Sequence, residues 1–328
     1  MKKVLVTGAS GFVGSHLADS LLEAGDYEVW AAVRATSSRK YLTDSRLKFI
    51  ELSYRNANAL KELMQTHDFD VVFHIAGATK QKRVGEFEEV NYGNTKSLVD
   101  ALQGLRAKLI FTSSFAAHGA ADPVTNEPAR VSDECRPDTQ YGKSKLKAEE
   151  YIKENFTSGN YIILRPTGVY GSRETDYFTY FQTIDNHLEP YLGFKPQRLT
   201  FVHGKDLADL CVRCGESSVR GRTYFVSDGN LYMDYEFAQI TKEVLKTKTL
   251  KVKFPLFIVR GVVFLLDCVS RLTGQQFTLN KDKYNILKAR NWACDTTDLQ
   301  TDIGFSPRYD LKAGVIEAIT WYKKEKWL

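Results

Sequence analysis

The sequence has few of the features that mark secreted, metal-binding or membrane-spanning proteins. Only 5 of its 328 residues are cysteine, too few for a disulfide scaffold. Cys211 and Cys214 form the only close pair, in a helical pattern without a second pair or two nearby histidines, so we expect no metal site. The most apolar stretch, residues 254–269, is interrupted by Arg260 and Asp267 and is too short to span a bilayer.

Neither the charges nor the first residues point to nucleic acid or to secretion. The 45 basic and 40 acidic residues are interspersed, with a net charge of +5, so no basic stripe is evident. Lys2 and Lys3 precede an apolar run that Thr7 and Gly8 end too early for a signal peptide. We therefore expect a cytoplasmic protein with no nucleic-acid partner and no integral membrane segment.

The most informative motif is a glycine-rich turn. The apolar residues 4–6 predict a buried strand, and a helical pattern follows from Leu17. Between them, Gly8, Gly11 and Gly14 allow a tight turn, the approach of a pyrophosphate and close packing of helix on strand. The anion would lie at the helix N-terminus. This arrangement predicts a dinucleotide-binding turn, with a plain tight turn as the alternative.

Strand and helix patterns alternate through the first half of the chain. Candidate strands cover residues 28–33, 47–52, 71–75, 108–113 and 161–165, and candidate helices fall near 12–24, 56–66, 86–105 and 140–156. The alternation predicts an α/β fold, with a doubly wound parallel sheet of Rossmann type and right-handed crossovers.

After Gly171 the alternation fades, and a short strand near 223–227 returns to the sheet. We therefore expect a nucleotide-binding domain of residues 1–171 plus about 201–228. A smaller, discontinuous and mostly helical substrate-binding part would comprise about 172–200 plus 229–328.

Tyr141 and Lys145 form a candidate acid–base pair. They lie four residues apart in a helical pattern and can point into one site. A phenol with a pKa of about 10 is a poor acid–base group at neutral pH, and a neighbouring ammonium would lower that pKa. Residues 111–114 end an earlier strand, where a hydroxyl could hydrogen-bond the reacting oxygen. The alternative is that both side chains lie on a solvated helix face and have no catalytic role.

In combination these motifs resemble the extended short-chain dehydrogenase/reductase family. That family includes nucleotide-sugar epimerases and dehydratases, flavonol-type reductases and 3β-hydroxysteroid dehydrogenases. The resemblance covers essentially the whole chain. Its markers are the glycine turn, His74–Ala76, Asn91–Thr95, Ser113-Ser114 before Gly119, Tyr141-x-x-x-Lys145, Arg165–Gly171, Phe201–Ala208 and Ile303–Pro307.

The resemblance implies roles for individual residues. Ser114, rather than Ser113, would supply the catalytic hydroxyl, Tyr141 would be the acid/base, and Lys145 would hold the nicotinamide ribose and tune Tyr141. The other cofactor contacts that it implies are Gly8, Ser10, Gly11, Phe12, Val13, Gly14, Glu51, Leu52, Ala76, Gly77, Ala78, Asn91, Thr112, Pro166, Thr167, Gly168 and Val169.

The end of the second predicted strand bears on the choice of cofactor. A carboxylate about 20 residues past the glycines binds the ribose 2′-OH of NAD, whereas an arginine accommodates the 2′-phosphate of NADP. Residues 31–40 contain no acid, so Arg34, helped by Arg39 or Lys40, favours NADP over NAD. A solvated basic loop is the alternative. Glu51 stands where the family usually has an aspartate near the adenine.

Two departures from the family pattern bear on the reaction. Resembling 4,6-dehydratases have an acidic pair directly after the catalytic hydroxyl, where this chain has Phe115 and Ala116, so dehydration is disfavoured. Many sugar-nucleotide epimerases have a diphosphate-binding arginine where this chain has Leu199. Arg198 is one residue away, and on a strand its side chain would face the other side.

We therefore predict an NAD(P)-dependent oxidoreductase that transfers hydride between nicotinamide and a carbonyl or hydroxyl group of a small or hydrophobic substrate. The aromatic residues of 172–200 and the apolar residues of 254–269 would suit such a substrate, although packing between the two parts of the chain is the plainer expectation. A nucleotide-sugar epimerase with tightly bound NAD(P) and a non-catalytic cofactor-binding sensor are the alternatives. Dimers are common among the resembling proteins, which leaves a homodimer open.

Overall fold

The computed structural model describes residues 1–80, 85–273, 277 and 279–328. Its strands are β1 (Lys2–Thr7), β2 (Tyr27–Ala32), β3 (Lys48–Ile50), β4 (Val71–His74), β5 (Lys108–Thr112), β6 (Tyr161–Pro166), β7 (Gly168–Tyr170), β8 (Leu188–Leu192), β9 (Arg198–Leu199), β10 (Phe201–His203), β11 (Arg222–Val226), β12 (Tyr232–Met233) and β13 (Leu250–Phe254).

Its α-helices are α1 (Phe12–Ala24), α2 (Ala57–His67), α3 (Asn94–Leu102), α4 (Phe115–His118), α5 (Gln140–Asn155), α6 (Asp176–Asp185), α7 (Gly204–Glu216), α8 (Asp234–Leu245), α9 (Leu256–Thr273), α10 (Lys281–Lys288), α11 (Thr297–Ile303) and α12 (Leu311–Lys324). A π-helical turn, Glu88–Gly93, leads into α3.

Seven parallel strands form the central sheet, in the order β11-β6-β5-β4-β1-β2-β3. The inner strands are buried on both faces, as the uninterrupted apolar run of β1 requires. Helices α1 and α7 pack together over one face, and α2, α3 and α5 cover the other. The doubly wound Rossmann fold predicted from the sequence is thereby confirmed.

Residues 172–200 and 229–328 contribute no strand to the central sheet where the structure describes them. They form instead two-stranded pairs with each other or with neighbouring segments, β9 with β12 and β8 with β13. An aromatic cluster joins this part of the chain to β7 and β10. Its buried rings are Tyr170, Phe181, Phe201, Phe237 and Tyr322.

The expectation of packing is correct for the aromatic side chains of residues 177–181. It is wrong for Phe194, which is 69% exposed, and for most of residues 254–269. Tyr177 and Phe181 pack within the aromatic cluster. In α9, by contrast, Val259 and Val263 are the only buried apolar side chains among those that the structure describes, and the other described large apolar side chains face solvent or lie half-buried. Over the described ranges, no helix has both the length and the apolar character that crossing a membrane needs.

Candidate active site

The glycine turn lies between β1 and α1, where two glycines are required by close contacts. Gly8 has a φ of +69°, and a Cβ there would come within 2.8 Å of Ala76 Cα. A Cβ on Gly14 would lie 2.2 Å from the carbonyl oxygen of Gly8. Larger residues would therefore push the turn away from α1 and from the end of β4.

The N-terminus of α1 faces this turn without a side-chain cap. Gly11 occupies the N-cap position, no side chain bonds there, and the first turn contains no acidic residue. The first N–H groups of the helix, beginning at Phe12 and Val13, therefore have no partner within it. With half-buried Ser10 beside them, they form a cradle suited to a phosphate.

The segment after β4 is fixed by the side chain of Asn91. Asn91 Oδ1 accepts from the N–H of Ala78 at 2.8 Å, and its Nδ2 donates to the Ala78 carbonyl at 3.1 Å. A Cβ on Gly77 would lie 2.9 Å from Lys145 Nζ. Ala76, Gly77 and Ala78 thus bring the backbone after β4 directly beside the predicted catalytic lysine.

The Ser114 side chain lies close enough to Tyr141 to lower the pKa of its phenol. Thr139 caps α5 by accepting from the N–H of Gly142 at 2.9 Å, which places Tyr141 in the first turn of that helix. Ser114 is the N-cap of α4 and accepts from the N–H of Ala116 at 3.1 Å. The two helix starts thus bring both hydroxyls to the carboxyl edge of the sheet.

The phenol and the ammonium of the pair are perturbed by burial in this structure. Burial raises the pKa of Tyr141 above its usual value, against a smaller lowering by the Ser114 hydrogen bond. Burial also lowers the pKa of Lys145 to about 8, although the Glu149 carboxylate opposes this shift. Lys145 Nζ donates to the carbonyl of Thr112 at 2.9 Å. The lowering of the Tyr141 pKa that the sequence predicts is therefore absent in the protein alone.

Ser113 and Ser114 have different partners. Ser113 is buried and donates to Glu149 Oε1 at 2.5 Å. Glu149 in turn forms a buried ion pair with Arg165, with Nη2 to Oε2 at 2.6 Å. Ser113 is therefore occupied by this structural pair, whereas Ser114 acts on the pKa of Tyr141.

A chain of hydrogen bonds links the end of β1, just before the glycine turn, to Asn91 in the π-helical turn. Thr7 Oγ1 bonds His74 Nδ1 at 2.7 Å, and His74 Nε2 bonds Thr95 Oγ1 at 2.9 Å. Thr95 donates to the carbonyl of Asn91 at 2.7 Å. Burial, helped by the charge of Lys145, lowers the pKa of His74 to about 3, so its imidazole is neutral.

Two residues at this site were not recognised from the sequence. Ser144 accepts from Asn91 Nδ2 at 3.0 Å and donates to the carbonyl of Tyr141 at 2.7 Å. Asp282 Oδ2 accepts from the N–H of Tyr141 at 3.0 Å. Its position between Tyr141 and Lys145 could have suggested Ser144, but no local signal connects Asp282 to a residue so distant in sequence.

The segment after β6 is held by backbone hydrogen bonds. The N–H of Thr167 donates to the Val226 carbonyl at 3.0 Å, and that of Gly168 to the Thr200 carbonyl at 3.3 Å. Pro166 is buried, and Val169 is half-buried in β7. These residues follow the carboxyl end of β6, on the same edge of the sheet as Tyr141.

The basic residues after β2 differ in their surroundings. Arg34 is exposed, whereas the Arg39 guanidinium lies over the Phe49 ring at 4.1 Å and Lys40 pairs with Glu325 at 3.4 Å. Glu51 Oε1 accepts from the N–H of Ala35 at 3.4 Å, so a carboxylate lies beside the Arg34 loop. Leu52 is half-buried and packs against the core.

No group of three or more His, Cys, Asp or Glu side chains suited to a metal ion occurs among the described residues. Cys211 and Cys214 are buried on α7 and pack into the core. The arrangement instead combines an anion cradle, the neighbouring side chains of Ser114 and Tyr141 and a buried amine at one sheet edge.

Comparison with known proteins gives a family and a set of relatives. The profile described as the NAD dependent epimerase/dehydratase family matches residues 4–227. A UDP-glucose 4-epimerase of Vibrio cholerae is 28% identical over 308 residues, which cover 89% of this chain and 90% of that protein. A ceramide reductase of Caulobacter vibrioides is 24% identical over 332 residues, which cover 99% and 96% respectively.

A solved structure shares the fold. The crystal structure of UDP-glucuronic acid 4-epimerase from Bacillus cereus, in complex with NAD, superposes with a TM-score of 0.78 at 20% identity. The match covers 98% of this chain and 99% of that one.

Proposed function

Because the chain belongs to the NAD dependent epimerase/dehydratase family, an extended short-chain dehydrogenase/reductase family of enzymes, we propose that it is an NADP(H)-dependent reductase or dehydrogenase of a small or hydrophobic substrate. The observation that carries this proposal is that Ser114 at the start of α4 acts on Tyr141 at the start of α5, with the buried amine of Lys145 one helical turn beyond Tyr141. All three lie at the carboxyl edge of a parallel sheet, where ligands of such folds bind.

The residues at this edge fit a dinucleotide. The uncapped N-terminus of α1 and the backbone around Gly8 would hold the pyrophosphate. Lys145 would hold the nicotinamide ribose, since its Nζ lies beside Gly77 and Asn91, whose side chain fixes the same segment. The remaining contacts that we propose are those implied by the family resemblance, including Thr112 and residues 166–169.

Each residue of the site has a defined task in the proposed reaction. The bound nicotinamide would supply or accept a hydride at the substrate carbon. In the reducing direction, Tyr141 donates its proton to the carbonyl oxygen, and Ser114 stabilises the same oxygen with a second hydrogen bond. The ammonium of Lys145 favours the phenolate that Tyr141 becomes. Ser144 and Asp282 are positioning residues, because both bond the backbone of Tyr141.

Arg34 supports NADP as the cofactor. It is exposed directly after β2 and is free to pair with a 2′-phosphate, whereas Arg39 and Lys40 already contact Phe49 and Glu325. NAD is the second candidate, because the Glu51 carboxylate beside this loop could accept a hydrogen bond from a ribose hydroxyl. The relative affinity for the two cofactors decides between them.

A hydrophobic substrate is supported by the residue at position 199. Leu199 packs against the aromatic cluster, so the arginine that would bind a sugar-nucleotide diphosphate is absent there. The similarity to a ceramide reductase agrees with this assignment, and the similarity to a UDP-glucose 4-epimerase supports the epimerase alternative. In either case residues 172–200 and 229–328 would bind the substrate. A reaction without net use of cofactor would favour the epimerase.

The test is turnover by the purified protein. NADPH oxidation should occur with long-chain carbonyl compounds, and it should be absent with UDP-sugars. Conversion of a UDP-sugar to its 4-epimer without cofactor consumption would overturn the reductase proposal. Cofactor binding with no turnover on either panel would favour a sensor. We further propose a cytoplasmic location, since all five cysteines are free thiols, and a homodimer, to be tested by sedimentation.

A further inference from the structure

Helix α9 exposes a continuous apolar face. Its large apolar side chains on that face are Phe257, Ile258, Val262, Phe264, Leu265 and Val269. Phe257 is 76% exposed, Phe264 67% and Leu265 64%. At about 100° per residue, the six positions span about 160° of the helix circumference. Single exposed apolar residues are ordinary, but a contiguous face of this size marks an interaction surface.

The opposite face of α9 holds the helix on the protein. Val259 and Val263 are buried, and Leu256 and Leu266 are partly buried beside them. The charged residues Arg260 and Asp267 lie outside the exposed apolar arc. The helix therefore lies flat against the protein and presents its apolar side outward, rather than projecting as a free segment.

Basic residues border the apolar face on the N-terminal side. Lys246, Lys248, Lys251 and Lys253 are all exposed in and just before β13, which leads into α9 through Pro255. Residues 246–260 contain no acidic residue. Leu250 and Phe254, on the same strand, are also exposed.

We propose that α9 and β13 dock onto an anionic lipid bilayer, with α9 lying in the plane of the interface. An apolar face of Phe, Leu, Ile and Val next to a cluster of lysines is the combination that binds anionic interfaces. The positive border is complementary to acidic headgroups, whereas a second copy of this chain would bring the same four lysines. The proposal goes beyond the proposed function and does not depend on it.

Docking would bring the membrane close to α5, the helix that bears Tyr141 and Lys145. Helix α10 packs against α9, and its Asp282 bonds the backbone N–H of Tyr141 at 3.0 Å. A lipid-soluble substrate could then reach the site from the bilayer without crossing water. This arrangement also connects the docking surface with the hydrophobic substrate class proposed above.

The experiment is flotation of the purified full chain with phosphatidylcholine vesicles, with and without phosphatidylglycerol. The chain should float with the mixed vesicles and much less with phosphatidylcholine alone. The triple variant F257Q/F264Q/L265Q should lose binding. The double variant K251Q/K253Q should bind roughly thirtyfold more weakly, from the usual contribution of two lysines near an anionic surface.

Controls separate docking from folding and from self-association. Val124→Gln replaces an exposed apolar side chain outside α9 and β13 and should leave binding unchanged. Circular dichroism and cofactor affinity of each variant report the fold independently of vesicles. Failure of the parent chain to float with anionic vesicles would overturn the proposal. The proposal would also be overturned if the parent chain bound no vesicles and formed a dimer that the triple variant dissociates, because α9 would then join two copies.

Discussion

Tyr141 is the residue whose hydroxyl the proposed chemistry depends on most directly. Its ring packs edge-on against Phe87, with 5.7 Å between centroids, and the nearby Ser114 side chain acts on its pKa. Tyr141→Phe keeps the ring and removes the proton, so cofactor affinity should persist while turnover falls about 10²- to 10⁴-fold. Steady-state kinetics and cofactor titration measure both quantities. Tyr235→Phe, on an exposed tyrosine of α8, is the control, and full activity of Tyr141→Phe would exclude this mechanism.

Arg34 is the residue that should determine cofactor preference. Charge-assisted hydrogen bonds contribute about 1.5–3 kcal/mol, so Arg34→Ala should weaken NADP binding roughly ten- to a hundredfold and leave NAD binding nearly unchanged. Glu51→Gln should instead strengthen NADP binding relative to NAD binding, because it removes a carboxylate beside the same loop. Fluorescence titration of both cofactors measures the effects, with exposed Arg130→Ala as the control. Equal affinities of the parent chain for NAD and NADP would contradict the NADP assignment.

At the scale of elements, the contact between α4 and α5 sets the distance between the two hydroxyls. A Cβ on Gly142 would lie 2.1 Å from the carbonyl oxygen of Ala116. Gly142→Ala should therefore separate Ser114 from Tyr141, at a cost of about 1–3 kcal/mol in stability, as overpacking usually gives. Gly261→Ala is the matched control, since a Cβ there has nothing within 4 Å. The free energy of unfolding measured with urea and the turnover rate should both fall in Gly142→Ala, and neither should fall in Gly261→Ala.

The elements themselves were largely predictable because local patterns determine them. The apolar run of residues 4–6 and the period of α1 give strand, turn and helix without any distant contact. The side of the site contributed by Asp282 was not predictable in the same way, because α10 meets α5 only through tertiary packing. The raised pKa of Tyr141 also follows from burial, which spacing alone does not reveal.

At the scale of the whole molecule, Glu317 ties the C-terminal helix to the sheet domain. It accepts from Ser172 Oγ at 2.9 Å and contacts His203 Nε2 at 3.0 Å and Lys205. Burial alone would raise the pKa of this carboxyl, but the bonds and charges of His203 and Lys205 hold the pKa well below its usual range. The folded chain therefore keeps Glu317 ionised at a pH where the unfolded chain is protonated.

A group with a depressed folded-state pKa stabilises the fold above its unfolded pKa of about 4.3 and loses that contribution as the pH falls. The stability advantage of the parent chain over Glu317→Gln should thus be full at neutral pH and shrink steadily below about pH 5. Urea unfolding across this pH range measures the difference. Exposed Glu154→Gln should show no such pH-dependent difference from the parent chain. A difference in the free energy of unfolding between the parent chain and Glu317→Gln that stays constant with pH would contradict the role given to Glu317.

Composition and periodicity did not predict which large surfaces remain uncovered. Residues 254–269 are as apolar as a core helix, and packing between two parts of the chain was the natural expectation. Whether a partner element covers such a helix depends on the path of the whole chain. In this fold only the side of α9 that bears Val259 and Val263 meets another surface.

The order of strands in the sheet also governs how the chain assembles during synthesis. Strand β6 lies between β5 and β11, and β11 is made only at residues 222–226. Until then β6 has an unpaired edge carrying Ile162, Ile163 and Leu164, which are fully buried in the finished fold. A nascent chain in this interval exposes an apolar, hydrogen-bonding edge to other chains. The growing polypeptide is therefore prone to aggregate in the interval before β11 emerges from the ribosome.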